Sequence, residues 1–318
     1  MARKNLISVI MPSYNAENYV EQAVLSVMGQ EEVDIELIIV DDGSEDGTYS
    51  ILTKLSDQFG QKITLKRQTN RGPYPARNFG LTLAKGELVA FLDADDYWAP
   101  GTLAKLENAL EDRESDIAYC GWQNFGVNSF SSNPYVPPEY DSGNVVKEFL
   151  KACPWPIHAA LVRRAALQRV GGFSERYRTS MDYDLWLRLL ALKPRIVRVP
   201  EVLAYYRWHV DGQISDNRAE QSLSSWRVRK DFVNSHPELL EGVSKSDVMG
   251  IINDFLRGAA FRAYWARDLE AAHILLRQIL KERGWRKGDA RYMLPVLLPL
   301  PIYSRVVELV DRKGVKHE

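Results

Sequence analysis

The stretch Leu88-Val89-Ala90-Phe91-Leu92-Asp93-Ala94-Asp95-Asp96-Tyr97-Trp98 decides how the rest of the chain is read. An unbroken apolar run closed by acids reads as a buried strand ending at a polar edge. If that strand continues through Asp95, side-chain alternation sends Asp93 and Asp95 to the same side. Open α/β sheets bind ligands at the carboxyl ends of their strands. Two carboxylates there suit a hard divalent cation, Mg²⁺ or Mn²⁺, and such a cation usually brings a diphosphate with it.

Upstream, strand-like and helix-like patterns alternate. Leu6 to Met11 is an apolar run that meets Pro12, which is expected to end the pairing. Tyr19, Val20, Ala23, Val24 and Val27 recur at helical spacing, and Gly29 fits a C-terminal cap. Ile35 to Val40 is a second strand, Ile51 to Phe59 a second helix, Ile63 to Leu65 a third strand, and Ala76 to Ala84 a third helix. Downstream, Leu103, Leu106 and Leu110 line a helix after Pro100. Ile117 to Gly121 closes the series. This alternation predicts a mainly parallel sheet covered by helices on both faces. Residues 122–143 break the pattern. They read as a surface excursion or as a loop over an acceptor site.

From about Ser222 the chain reads as helical. Phe255, Ala259, Ala260, Ala263 and Tyr264 form one stripe; Ala271, Ala272, Leu275, Leu276, Ile279 and Leu280 form a second after Arg267-Asp268. Together they predict a helical hairpin. The expected division is therefore an α/β domain over 1–215 and a helical region over 216–318.

The bulk numbers exclude several classes. With 41 basic and 42 acidic residues and a formal net charge of −1, no basic field for nucleic acid is expected. Only Cys120 and Cys153 are present; they lack metal-ligand spacing and read as small core residues in a reduced, cytoplasmic setting. No window approaches the roughly 18 apolar residues of a membrane span. The nearest, around Met293 to Tyr303, is short and carries Pro295, Pro299 and Pro301.

Three further clusters carry chemistry. Asp41 and Asp42 close the second strand ahead of Gly43. They can accept from a base or ribose donor, or simply form a turn before a helix N-cap. Tyr14 follows the first strand and can stack on a nucleobase. Arg71 and Arg77 flank the start of the third helix, where Arg forks match phosphate oxygens.

The order SVIMPSYN, IIVDDGSEDGT, ARNFGLTLAKGELVAFLDADD, GGFSERYRTSMDYDLWLRL and YYRWH resembles a family 2 glycosyltransferase of GT-A fold over about two thirds of the chain. The resemblance implies an inverting transfer from a nucleotide-sugar, with UDP the usual nucleotide. The acceptor would be a glycan, a lipid-linked or another hydroxyl, in cell-envelope synthesis. It implies that Pro12 and Tyr14 border the base, Asp42 accepts from a ring N–H and Arg77 supports the nucleoside. Asp93 would lie near the ribose and Asp95 would ligate the metal. Asp182 takes the place of the catalytic base. Met181 stands where the family usually has Glu, which bears on acceptor preference or tuning of the base. Arg207 belongs to a segment that closes over the diphosphate. His209 would be a third metal ligand, a phosphate contact or a structural residue. Asp184 and Trp186 read as helix structure.

Two other readings compete. A phosphatase of the haloacid dehalogenase type also places DxD after a strand, but Tyr97 stands where it wants Thr or Val. The alternative from another class is a non-catalytic nucleotide-sugar-binding or scaffold protein on the same fold. For the helical region the choices are a cap on the catalytic domain, a homodimer contact, or a peripheral contact at the inner face of a membrane. Arg283, Arg286, Lys287 and Arg291 flank the apolar segment and lean toward the last, while a packed core element is the plainer reading.

Overall fold

The computed structural model describes residues 5–127, 132–140, 145–208 and 217–314. The chain opens with β1 (Leu6–Ser13), α1 (Val20–Met28), β2 (Asp34–Asp41), α2 (Thr48–Phe59), β3 (Ile63–Arg67), α3 (Pro73–Leu83) and β4 (Leu88–Phe91). Next come β5 (Tyr97–Trp98), α4 (Thr102–Asp112), β6 (Ile117–Gly126), α5 (Val145–Lys151), β7 (Ala160–Arg163), α6 (Arg164–Arg169), α7 (Met181–Leu190) and β8 (Ile196–Trp208). The remaining helices are α8 (Arg218–Ser235), α9 (Lys245–Trp265), α10 (Leu269–Lys281), α11 (Ala290–Met293) and α12 (Leu300–Gly314).

Two compact units result. The first holds the described residues as far as 145, with 153–177 and 181–208. The second holds 146–152, 178–180 and the described residues from 217 onward. The expected boundary at 215 lies outside the described residues, and two short internal segments cluster with the helical unit.

In the first unit the strands form one sheet in the order β3-β2-β1-β4-β7-β6-β8-β5. β1 pairs in parallel with β2 and β4, β2 with β3, and β6 with β8. β7 runs antiparallel between β4 and β6, and β5 runs antiparallel on the edge. Two reversals through β7 restore direction, so β1, β2, β3, β4, β6 and β8 all point the same way. Their carboxyl ends therefore share one edge, and that edge collects the acidic motifs. Ile7, Val9, Ile10 and Met11 of β1, Leu37 to Val40 of β2 and Leu88 to Phe91 of β4 are fully buried. That is why these strands read as continuous apolar runs and not as alternating ones.

Three details differ from expectation. Pro12 lies inside β1, opposite Val40, and does not end it. The Ile10 carbonyl accepts from Leu92 N, the last bond on the β4 side. Pro12 faces that same side one step further on, beyond the end of β4, where its missing N–H has no ladder partner to lose. Second, β6 extends to Gly126, and Trp122 exchanges 2.9 Å backbone bonds with Tyr135. The excursion therefore starts after the strand, not at residue 122. Third, Cys120 is buried but Cys153 is exposed, so only one of the two thiols is a core residue.

The second unit contains the expected hairpin. α9 and α10 pack together, and the Asp268 side chain caps α10 by accepting from Ala271 N at 3.1 Å. Val248, Ile252, Leu256 and Ala260 face Ala272, Leu275, Leu276 and Ile279 as buried residues. No described helix is long and apolar enough to cross a membrane.

Candidate active site

The turn after β4 organises the site. β4 stops at Phe91, and Asp96 N donates to the Asp93 carbonyl at 3.1 Å, so Asp93 to Asp96 form a turn. Strand alternation does not reach Asp95, which corrects the expectation of two parallel carboxylates. The turn instead sends its acids to different partners. Asp93 pairs with Arg77, and Asp96 turns inward to His158. Asp95 stays half-buried on the turn.

Arg77 comes from α3, whose start is set by Gly72 at φ 94°, a left-handed value natural for glycine. The guanidinium is almost wholly buried, lies over the rings of Tyr74 and Phe173 and pairs with Asp93. Burial works against its charge, but Asp93, Tyr74 and Asp182 outweigh that and hold the proton more firmly. Its Nε has no hydrogen-bond partner among the described residues. An orphaned buried donor of this kind fits an anionic or polar ligand.

Asp182 sits in the first turn of α7, after Ser180 at φ 62°. Its Oδ1 accepts from Tyr183 N at 2.8 Å. Burial raises its carboxyl above the ordinary range; its own helix amide and Arg77 oppose that rise, and Asp93 adds to it. The result is a carboxylate that holds a proton more readily than an exposed one, as a general base requires. Asp184 pairs with Arg188 at 2.7 Å, and Trp186 Nε1 donates to Trp155 O at 3.1 Å, so both are helix structure as expected. Met181 is completely buried, so position 181 contributes packing here and adds no second charge beside Asp182.

Asp42 accepts several hydrogen bonds from the chain itself. Its Oδ1 accepts from Gln68 Nε2 at 2.8 Å and Arg71 N at 2.9 Å, and its Oδ2 accepts from Gly72 N at 2.7 Å. The carboxylate thus ties down the loop that delivers Arg77. Asp41 accepts from Ser44 Oγ at 2.5 Å and pairs with Arg67 at 3.1 Å. Tyr14 is 45% exposed just beyond β1, open to a stacking ligand. Arg71 is largely exposed and lies 3.7 Å from Glu175.

Arg207 is likewise engaged by the chain itself. Its backbone N donates to Asp96 Oδ1 at 2.8 Å, its Nε donates to the Asp95 carbonyl at 2.8 Å, and its terminal nitrogen reaches Gln22 Oε1 at 2.6 Å. The guanidinium is spent on fixing the acidic turn, over the rings of Tyr19 and Phe125. His209 lies outside the described residues.

The sequence reading missed Asp96 and His158. Both are wholly buried, with His158 Nδ1 3.1 Å from Asp96 Oδ2. Burial pushes Asp96 up to about 7, against the pull of His158 and with a push from Asp95. Asp96 in turn raises His158 in spite of burial. The imidazole stacks on Tyr206 at 5.6 Å, and the His158 carbonyl accepts from Trp98 Nε1 at 2.7 Å. The third acid of DADD was visible in the sequence, but nothing local linked it to a histidine 62 positions away.

Among the described residues no three His, Cys, Asp or Glu side chains gather as a closed metal cage. Asp95, half-buried on the turn, is a hard oxygen donor of the kind Mg²⁺ or Mn²⁺ would take together with phosphate and water oxygens.

A sheet that gathers Tyr14, Asp93, Asp95 and Arg77 at its carboxyl edge, with Asp182 nearby, defines a glycosyltransferase of GT-A fold. Residues 8–171 match the sequence model of the family described as Glycosyl transferase family 2. The chain belongs to that family and is a glycosyltransferase. It is 30% identical over 243 residues, 74% of this chain and 90% of the relative, to the UDP-Glc:alpha-D-GlcNAc-diphosphoundecaprenol beta-1,3-glucosyltransferase WfaP of Escherichia coli. In fold it is similar to TarS of S. aureus, solved in complex with UDP-GlcNAc, with a TM-score of 0.64, 21% identity and coverage of 98% and 92% of the two chains. It is also similar to the mannosyltransferase PcManGT of Pyrobaculum calidifontis, solved with GDP-Man and Mn²⁺, with a TM-score of 0.57, 21% identity and coverage of 98% and 88%.

Proposed function

We propose that this glycosyltransferase moves a sugar from a nucleotide-sugar, UDP-linked, to a hydroxyl on a lipid-linked or other glycan acceptor, with inversion at the anomeric carbon. The observation that carries this reading is Arg77. Its buried guanidinium pairs with Asp93 on the acidic turn and feels Asp182 at the start of α7. One cation thereby links the donor side of the site to the base.

In the proposed reaction Asp182 takes the proton of the acceptor hydroxyl. The acceptor oxygen bonds to the anomeric carbon as the bond to the diphosphate oxygen breaks, and the nucleoside diphosphate leaves. A single base and attack opposite the leaving group give inversion. Tyr14 stacks on the base of the nucleotide, Asp93 borders the ribose, and Pro12 shapes the floor beside them. Asp42 holds the loop of Arg77 and keeps a lone pair on Oδ2 for the nucleobase. Asp95 would hold the divalent cation, which would supply charge neutralisation for the leaving diphosphate. Arg207 keeps Asp95 in place. The relative's lipid-linked diphosphate acceptor supports a lipid-linked substrate here.

A thermal-shift panel of nucleotide-sugars, each with Mn²⁺, with Mg²⁺ and with chelator, tests the donor and the metal together. The expected result is stabilisation by a UDP-sugar that depends on the cation and vanishes in Asp95→Ala. Equal stabilisation in chelator removes Asp95 as metal ligand. Binding without release of UDP in the presence of any acceptor favours the non-catalytic binding protein instead.

A further inference from the structure

The second unit carries an apolar surface that its own fold leaves uncovered. Along α11, the turn after it and α12, the inward positions are already filled. Met293, Val296, Tyr303 and Val307 are buried, and the Leu298 carbonyl lies 2.9 Å from His273 Nε2 of α10. With that register fixed, the intervening side chains point out. Leu294 is 69% exposed, Leu297 63% and Ile302 50%, within nine residues. Trp265, 60% exposed, joins the same neighbourhood through Tyr292, the residue before Met293. Contiguous exposed apolar surface on a soluble chain marks an interaction site.

The charge around it says what covers it. From 281 to 305 there are six cations, Lys281, Arg283, Arg286, Lys287, Arg291 and Arg305, against two acids, Glu282 and Asp289. That is an excess of four positive charges in a chain whose net charge is −1. Arg286 pairs with Asp254, whereas Lys287 and Arg305 have no ion pair among the described residues. Arg291 is turned onto the Tyr292 ring. Exposed leucines with a basic fringe and an interfacial tryptophan are the composition of a surface-lying membrane helix. A second copy of the chain fits less well. A two-fold contact through this face would bring the same cations onto one another, and the cores of protein interfaces are depleted in lysine.

We propose that Leu294, Leu297 and Ile302 insert into the headgroup boundary of an anionic bilayer, with Lys287, Arg291 and Arg305 on the lipid phosphates. This deepens the lipid-linked acceptor reading, which would then be met at the membrane surface, but the binding itself needs neither donor nor acceptor.

The test is flotation of the full chain with vesicles of phosphatidylglycerol and phosphatidylethanolamine, against vesicles of phosphatidylcholine alone. The expected result is recovery with the anionic vesicles only, lost in a Leu294→Gln, Leu297→Gln, Ile302→Gln triple variant. Lys287→Glu with Arg291→Glu should weaken binding to the anionic vesicles about twenty-five-fold or more, since each basic residue at such a surface contributes roughly fivefold. All three leucine and isoleucine positions are exposed, so the triple variant should keep its melting temperature and its release of UDP in the presence of a soluble acceptor. Loss of that release with flotation intact would sink the transferase reading alone. No flotation of the wild type, or equal flotation of the triple variant, overturns the membrane proposal. A dimer that the triple variant dissolves, without flotation, assigns the face to a second copy.

Discussion

His158 Nδ1 lies 3.1 Å from Asp96 Oδ2, with both side chains sealed from solvent. The second oxygen of Asp96 accepts from the backbone of Arg207, and Asp96 follows directly on Asp95. One buried carboxylate therefore couples the acidic turn to β8 and to the segment before β7. Replacing Asp96 by Ala removes the charge partner of a buried imidazole and leaves a buried backbone N–H unsatisfied. The cost should be about 3 kcal/mol or more, seen as a large drop in melting temperature. Asp96→Asn keeps an acceptor for Arg207 N and should cost clearly less. Equal melting temperatures for the wild type and the Ala variant would contradict the coupling.

The pH dependence of transfer should report Asp182. Its carboxyl is raised above the ordinary 3.8, chiefly by burial. Protonated Asp182 cannot accept the acceptor's proton, so activity should rise with pH along an acid limb displaced upward from that value. Arg77 holds the limb down and Asp93 pushes it up. Residual activity in Arg77→Met should therefore show a limb at higher pH, and in Asp93→Asn at lower pH. An acid limb that neither substitution moves would contradict this electrostatic arrangement.

The same shift has a consequence for stability. A carboxyl whose folded pKa is raised holds its proton longer in the folded chain than in the unfolded one. Ionisation therefore costs stability as pH rises past the unfolded value, and the cost is complete above the folded value. Asp182→Asn removes it. At pH 8 that variant should melt no lower than the wild type, while at pH 4 the two should converge. A variant that melts well below wild type at pH 8 would make Asp182 a structural residue.

Close packing of α3 on the sheet should be just as testable. A Cβ built on Gly80 would stand 2.5 Å from Ile10 Cγ2 of β1. Gly80→Ala should cost about 1–3 kcal/mol by overpacking, in spite of alanine's better helix propensity. Pairing it with Ile10→Ala, which removes Cγ2, should cost less than the sum of the two single changes in a chemical denaturation series.

Much of the catalytic unit was legible because buried parallel strands are written as unbroken apolar runs. The segments at Leu6, Ile35 and Leu88 left little choice of element, and their order placed the acidic motifs on one edge. Asp182 and Arg77 were found through motif order, and the structure brings them into one electrostatic group. What failed was local extrapolation. Alternation was carried past Phe91 into a turn, which misdirected Asp93 and Asp95. Pro12 was read as a strand end because the missing neighbour on its β4 side could not be known from sequence. Asp42 and Arg207 also hold the chain's own loops, a task that no local pattern shows. Asp96 and His158 escaped because their pairing exists only once β7 has been laid beside β4. Met181 differs from the family's usual residue, and its complete burial explains how an apolar side chain is tolerated there.

The central claim is that Asp182 is the base of a sugar transfer. The direct measurement is turnover of Asp182→Asn beside its affinity for the donor. The expected result is a Kd for UDP-sugar within about threefold of wild type and a kcat lowered by roughly 10²–10⁴-fold, the range for loss of a general base. A kcat within threefold of wild type, with the donor still bound, would contradict it.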